Sequence, residues 1–412
     1  MNHPKVARNL TLTLFLAQSL ASAAFVATAA VNTIIGTRLS GNASLAGVPS
    51  AVNQVGVALA SLGIGLAMDR LGRRWGLGLG YAAGIFGGVV CIAGMLVSSF
   101  YIFLAGLVLF GVARAAMQMS RFTAAEVHPP ENRGKAISYI VLGGTVGSVL
   151  GPLLVGPAGK LAAHAGLDEL VGPFGITFVV FVICTFIILG FLRPEPRKVA
   201  QEIAVLYPEK GINEGVTRSL RQILLTPTVA VAISVTVMGQ VIMVMLMGIT
   251  SLYMTDHAHG LDAISLVFSA HTLGMFAFSI LSGRLVDRWG RAPVILTGSG
   301  VLLAACALAP LSPDLFPLSF SLFLLGLGWN FTYVGGSAML ADELSPAERA
   351  KTQGVNDLLI GLVTAVGSVV SGMIFASAGY AATGIVGAVL SLIPLGAVGW
   401  WLVGRQEASA VS

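Results

Sequence analysis

One short charged phrase is written twice in this chain, each time between two long apolar runs. The first copy is Gly65-Leu66-Ala67-Met68-Asp69-Arg70-Leu71-Gly72-Arg73, and the second is Gly283-Arg284-Leu285-Val286-Asp287-Arg288-Trp289-Gly290-Arg291. Gly, Asp, Arg, Gly and Arg hold identical offsets in both copies. A repeated unit of apolar segment, charged turn and apolar segment is what internal duplication of a membrane bundle produces. The feature limits the chain to two related halves whose helices are solvated by lipid.

Composition makes the lipid necessary. Hydrophobic residues are 56% of the chain and charged residues only 10%, where soluble domains carry about 25% charged residues. The stretches between charged clusters run to about 20 residues or more, enough to cross roughly 30 Å of hydrocarbon. The 51 glycines suit helices that must pack closely in lipid without a hydrophobic driving force. A net charge of +5 does not indicate nucleic-acid binding, because the basic residues sit in short loops. Cys91, Cys184 and Cys306 are scattered through apolar runs and form neither a disulfide framework nor a metal site. Lys5 and Arg8 precede an apolar run that continues to about Ile35 without a convincing cleavage site, so that run is expected to stay as the first helix.

The apolar runs predict an all-α membrane protein of twelve transmembrane helices in two pseudo-symmetric six-helix bundles. The spans fall near 10–36, 46–68, 75–97, 100–122, 135–157 and 171–192, then 227–254, 261–283, 292–311, 315–340, 352–377 and 380–403. Residues 1–192 are expected to form the N-terminal bundle, 193–226 a cytoplasmic linker, and 227–412 the C-terminal bundle. The linker holds Pro194, Pro196, Pro208, several charges and one weakly amphipathic run, Leu220, Ile223 and Leu224. Of the basic residues outside the spans, about 20 fall on the side that carries both termini and the linker, against Arg38 and Lys160 on the other. The positive-inside rule then places both termini in the cytoplasm. Two further echoes support duplication. Pro130-Glu131-Asn132-Arg133-Gly134-Lys135 matches Pro346-Ala347-Glu348-Arg349-Ala350-Lys351, and Val146-Gly147-Ser148-Val149 matches Val366-Gly367-Ser368-Val369.

Over essentially its whole length the chain resembles the major facilitator superfamily of secondary transporters, on the strength of the duplicated turn between spans 2 and 3 and between spans 8 and 9. Gly147, Gly151 and Pro152 in span 5 resemble the Gly-x-x-x-Gly-Pro element of that family's drug/proton antiporters. One departure stands out. Relatives carry an Arg in helix 4 four residues before a Gly, and the residue four before Gly111 is Leu107. Arg114 comes seven residues later, close to two helical turns and so on about the same face. Span 1 has no acidic residue, so no proton carrier is transferred there.

The resemblance implies a conformational latch at the turns: Gly65, Asp69, Arg70, Gly72, Arg73 and Glu126 in the first half, with Gly283, Asp287, Arg288, Gly290 and Arg291 in the second. On the residues themselves, Gly65 would admit a neighbouring helix, and Asp69 would accept from Arg73 or cap a partner helix, where the dipole favours a carboxylate. Glu126 is a further partner for Arg73 or Arg70. Pro152 would kink span 5, and the glycine pair would let it lie against a partner from the other half.

Polar groups inside spans are costly and therefore informative. Gln18, Arg114, Gln240 and Asn330 lie in helices that the resemblance implies line a central cavity, and with Trp329 and Tyr333 as an aromatic wall they are expected to contact substrate or water there. The alternative is that each amide bonds a neighbouring helix backbone. Arg114 needs an anion, whether Asp357, Glu126 or a substrate group. Asp357 and His271 are the candidates for proton coupling, His271 because an ordinary pKa near 6.5 suits reversible protonation. Asp342 and Glu343 sit at a helix end and read as gate salt bridges. Asp256, His257 and His259 with Met243, Met247 and Met254 suggest soft-metal handling, but read better as a solvated loop and pliable packing. No cofactor and no metal are expected. No nucleotide-binding loop or hydrolase spacing is present, so the chain does not read as an enzyme or an ATP-driven pump.

The expected function is proton-coupled export of small apolar or amphipathic compounds by alternating access, in a bacterial-type plasma membrane. Proton-coupled uptake of an organic anion or nutrient, anchored by Arg114, is the alternative. A non-transporting receptor or scaffold is the reading from another class. The partners are a small-molecule substrate, protons and the bilayer, with no nucleic acid, and the chain is expected to work as a monomer.

Overall fold

In the computed structural model, residues 3–207 and 218–411 are described. Linker residues 208–217, Pro208 among them, lie outside that set. Helix dominates because a backbone in hydrocarbon must satisfy its own N–H and C=O groups within the segment. In chain order the helices are α1 (His3–Ala29), α2 (Asn32–Ser40), α3 (Val48–Leu71), α4 (Arg73–Leu96), α5 (Phe100–Glu126), α6 (Arg133–Leu150), α7 (Val155–His164) and α8 (Val171–Phe191). The linker contributes α9 (Pro196–Leu206) and α10 (Leu220–Leu224). Then come α11 (Pro227–Asp256), α12 (Leu261–Phe276), α13 (Ser279–Trp289), α14 (Arg291–Leu308), α15 (Leu315–Glu343) and α16 (Pro346–Val411). Among the described residues there is no strand.

Among the described residues, eleven segments are long and apolar enough to cross a bilayer. The last, Lys351–Gly404, is 54 residues long and is broken at Gly379, with φ 77° and ψ −175°. Only glycine enters that backbone region without strain, and each side of the break exceeds the length needed for a crossing.

Contacts group the chain into two compact units, residues 1–41 with 49–210 and residues 42–48 with 211–412. The first unit has an aromatic centre. Phe103, Phe110, Phe174 and Phe181 are fully buried, with edge-on contact between Phe103 and Phe174 at 5.5 Å. The second is aliphatic, with Val229, Ala232, Val235, Ile295 and Leu340 in one cluster and Met243, Met247 and Met254 buried along α11. Outward-facing residues are also apolar: Leu59, Phe86, Phe186, Ile280 and Phe316 are all well exposed. A surface of this kind suits lipid rather than water.

Three departures from the apolar pattern stand out. The first span divides at residues 30–31 into α1 and α2. The eighth divides at 277–278 into α12 and α13, where Asn330 of α15 takes the Met275 carbonyl at 2.6 Å. In the linker the better amphipathic helix is α9, whose Pro196, Val199 and Ile203 are buried; the run at Leu220 forms only the single turn of helix α10.

Candidate functional site

The two charged turns share one backbone device. Gly72 has φ 95° and ψ 163°, and Gly290 has φ 89° and ψ 169°, a region open essentially to glycine alone. Each glycine stops one helix and starts the next without a loop. The earlier glycines behave differently. A Cβ added at Gly65 or Gly283 would meet no atom within 4 Å, so the expected close helix approach at Gly65 is not what this structure uses that glycine for.

Around the first turn, Arg73 gathers two carboxylates. Its Nε and Nη2 each donate to Glu126 at 2.9 Å, and its Nη1 donates to Asp69 at 2.7 Å. The bidentate geometry makes this a strong, oriented pair. A third carboxylate, from the linker, completes the cluster. Glu195 accepts the backbone N–H of Arg73 at 2.6 Å and of Arg74 at 3.3 Å, and so caps α4, where the helix dipole favours an anion. Arg197 donates to the Asp69 carbonyl, and Arg74 to the Leu189 carbonyl. Thus Asp69 pairs with Arg73 as expected, while the capping carboxylate belongs to Glu195. The sequence signal for Glu195 was its position between two prolines, directly before α9. Arg70 is exposed.

The second turn is sparser. Arg291 pairs with Asp342 at 2.6 Å. Asp287 and Arg288 are exposed and make no ion pair among the described residues. The linker docks on this unit elsewhere. Arg218 holds Glu348 with two bonds of 3.0 Å from its guanidinium and one of 3.0 Å from its backbone N–H, and reaches the Glu343 carbonyl at 2.8 Å. Ser345 N–H adds another bond to Glu348 at 3.0 Å, the return half of a capping box legible as Ser345-x-x-Glu348. The Arg218 hydrogen bonds, followed by that of Ser345, hold the Glu348 carboxyl at about 2, and Glu348 raises Arg218 in turn.

The span 5 element has a local explanation. A Cβ on Gly147 would overlap the Ser19 carbonyl, and one on Gly151 the Ala23 carbonyl. Both neighbours are on α1, in the same unit, and not on a helix of the other half as expected. Pro152 opens the short 3₁₀ turn between α6 and α7.

The polar residues within spans separate into groups. In the second unit Trp329 Nε1 donates to Gln240 Oε1 at 2.8 Å. Trp329 stacks on Tyr333 at 4.9 Å with planes 14° apart, and Phe276 meets it edge-on at 6.1 Å. Asn330 does not join them. It is buried and spends its amide on Met275, Ser279 and Ser282, bracing the break between α12 and α13. His271 is buried with Nδ1 on the Leu322 carbonyl at 2.9 Å, while its Nε2 has no partner among the described residues. Asp357 is exposed and accepts from Gln353 at 2.8 Å, so it is not the buried carboxylate that coupling through it requires.

In the first unit Arg114 donates to Gln54 over a long 3.4 Å and has no carboxylate within ion-pair distance among the described residues. Gln54 on α3 was not anticipated; a glutamine in an apolar run was the signal for it. Gln18 keeps its Oε1 buried without a partner. Of the loop histidines, His257 bonds the Tyr253 carbonyl and His259 the Pro313 carbonyl.

The sequence profile of the Major Facilitator Superfamily matches residues 14–257 and 232–411. The chain belongs to that superfamily. It is thus an integral membrane protein of a transporter family. As a superfamily member it is 34% identical over 380 residues to the uncharacterized MFS-type transporter YddS of Bacillus subtilis strain 168, covering 92% of this chain and 87% of YddS. It is 29% identical over 381 residues, 92% of each chain, to the riboflavin transporter RfnT of Brucella anthropi. Among solved structures, a D-xylose-proton symporter superposes with a TM-score of 0.71 at 15% identity, over 94% of this chain and 96% of the other, which speaks to the fold alone.

Proposed function

We propose that this chain is a secondary transporter that carries a small, largely apolar organic solute across the membrane by alternating access. It has twelve spans in two six-helix bundles, with both termini and the linker in the cytoplasm of a bacterial-type cell. The observation that carries this reading is the Gln240–Trp329–Tyr333 group: a hydrogen-bonding amide beside stacked rings, inside two predominantly apolar membrane-length helices. A scaffold or receptor has no need of such a group in its spans. The turns at Asp69 and Asp287 supply the latch of the cycle, with the Arg73 cluster as its stronger half.

Direction and coupling divide into two readings. Export in exchange for protons follows from the span 5 resemblance, with His271 as the remaining coupling group inside a span. Uptake is favoured by a specific observation, the full-length similarity to a riboflavin transporter, and by Arg114, whose long bond to Gln54 leaves its charge for a solute anion. Counterflow of labelled riboflavin in vesicles reconstituted with purified protein tests transport. An imposed pH gradient then gives direction, and His271→Gln gives coupling. A lack of counterflow for riboflavin and for a panel of amphipathic compounds alike would overturn the transporter reading. Gradient-driven transport that survives His271→Gln would remove the histidine.

A further inference from the structure

The second unit holds an amide whose orientation is dictated by chemistry. An indole N–H can only donate, so the end of Gln240 that faces Trp329 Nε1 at 2.8 Å must be its oxygen. The other end is then NH2, which has two donors and no acceptor. Among the described residues that nitrogen has no hydrogen-bond partner, although Gln240 lies half-buried in α11 between Gly239 and Val241. The nitrogen is not sealed within the protein, so an accepting group on a solute can reach it.

The setting of this amide is also fixed. A Cβ at Gly239 would lie 2.6 Å from Thr332 Oγ1, so α11 and α15 approach closely enough to lock Gln240 against Trp329. Trp329 and Tyr333 stand one turn apart on α15 and stack nearly parallel, while Phe276 abuts the indole edge-on. Both rings are only partly buried, and aromatic rings favour stacking with a further flat ring.

We infer that Gln240, Trp329 and Tyr333 form a selective subsite for planar ring systems with hydrogen-bond acceptors, carbonyl oxygens or ring nitrogens, on their edge. Trp329 acts there as a positioning residue, because its N–H decides which end of the Gln240 amide a solute meets. The inference rests on the transporter reading above and narrows it to a solute class. Planar compounds with amino edges are disfavoured, since donor would face donor.

Three uncharged tricyclic probes of one size separate the terms: acridine with an acceptor nitrogen, anthracene with neither group, and 2-aminoanthracene with a donor. Equilibrium dialysis against full-length protein in detergent, referenced to Gln240→Leu to cancel partition into micelles, should show acridine bound about tenfold more tightly than 2-aminoanthracene. Trp329→Phe keeps the ring and removes the N–H, so the amide can turn, and the preference should shrink to about twofold while anthracene binding is kept. Gln240→Glu should reverse it. Where Gln240→Leu does not fold, Trp329→Phe against wild type decides. A wild-type preference retained in Trp329→Phe overturns the inference, as does the absence of binding by any of the three probes. Counterflow of a non-planar solute alongside either result would leave the transporter reading intact, whereas the lack of counterflow for every solute sinks that reading instead.

Discussion

The two charged turns are near copies in sequence, yet they are electrostatically unequal. Arg73 is 19% exposed and sits between Asp69 and Glu126, with Glu195 of the linker capping the helix that Arg73 begins. Arg291 is 36% exposed and has one partner, Asp342, itself 56% exposed. Both turns share the glycine backbone at Gly72 and Gly290. The motif therefore specifies how the chain turns, and the residues brought to it by other segments specify how tightly it is held. The linker, through Glu195 and Arg197, makes the first turn the heavier one, and grips the second unit at Glu348 instead.

If the comparison is sound, Arg73→Ala should have the largest effect. It strands Asp69 and Glu126 close together while Glu195 keeps its backbone donors, and should lower stability by about 2 kcal/mol and transport turnover by about tenfold or more. Arg291→Ala removes a single exposed pair and should cost less than about 1 kcal/mol. Thermal melts and counterflow rates on both variants measure the gap, and equal losses would erase the asymmetry. Glu195→Ala comes next, with about 1 kcal/mol expected from loss of the α4 cap, while the same change at exposed Asp287 should leave the melting temperature in place.

Glu348 gives the comparison a pH axis. Its carboxyl is held at about 2, below its ordinary 4.5, so its contribution is whole above pH 4.5 and fades as the pH falls toward 2. Protease susceptibility of the linker, measured from pH 6 down to pH 3, should rise in the wild type. Glu348→Gln should be more susceptible at pH 6 and flat across the range, and an unchanged acid response would assign the sensitivity to other groups. The smallest effect is expected at Gly65→Ala, within about 0.5 kcal/mol of wild type or slightly stabilising. A loss beyond 1 kcal/mol would mean that close packing at Gly65 matters in a state other than this one.

Much of the fold was legible because it rests on two strong signals, apolar length and a repeated turn. Both are local, and the helix starts at Arg73 and Arg291 follow directly from them. What escaped the sequence was contact geometry. Gly147 and Gly151 marked a tight approach without saying to which helix, and the answer was α1. Asn330 and Gln240 looked alike as amides in apolar runs, yet Asn330 braces a helix break and Gln240 faces Trp329. Asp357 read as a coupling carboxylate because of its place along a span, but helix periodicity put it on an exposed face beside Gln353. Glu195 and Gln54 were missed since neither belongs to a motif, and their roles exist only once distant segments meet.

Trp329 and Asn330 are consecutive residues of one rigid helix. The residue after the indole is thus the amide that holds three groups of the α12–α13 junction. Beyond that junction α13 runs straight to Asp287 and Gly290. The aromatic group and the helix that ends at the second charged turn are thereby tied to neighbouring positions of one backbone, Trp329 to the stacked rings and Asn330 to the junction from which α13 leaves.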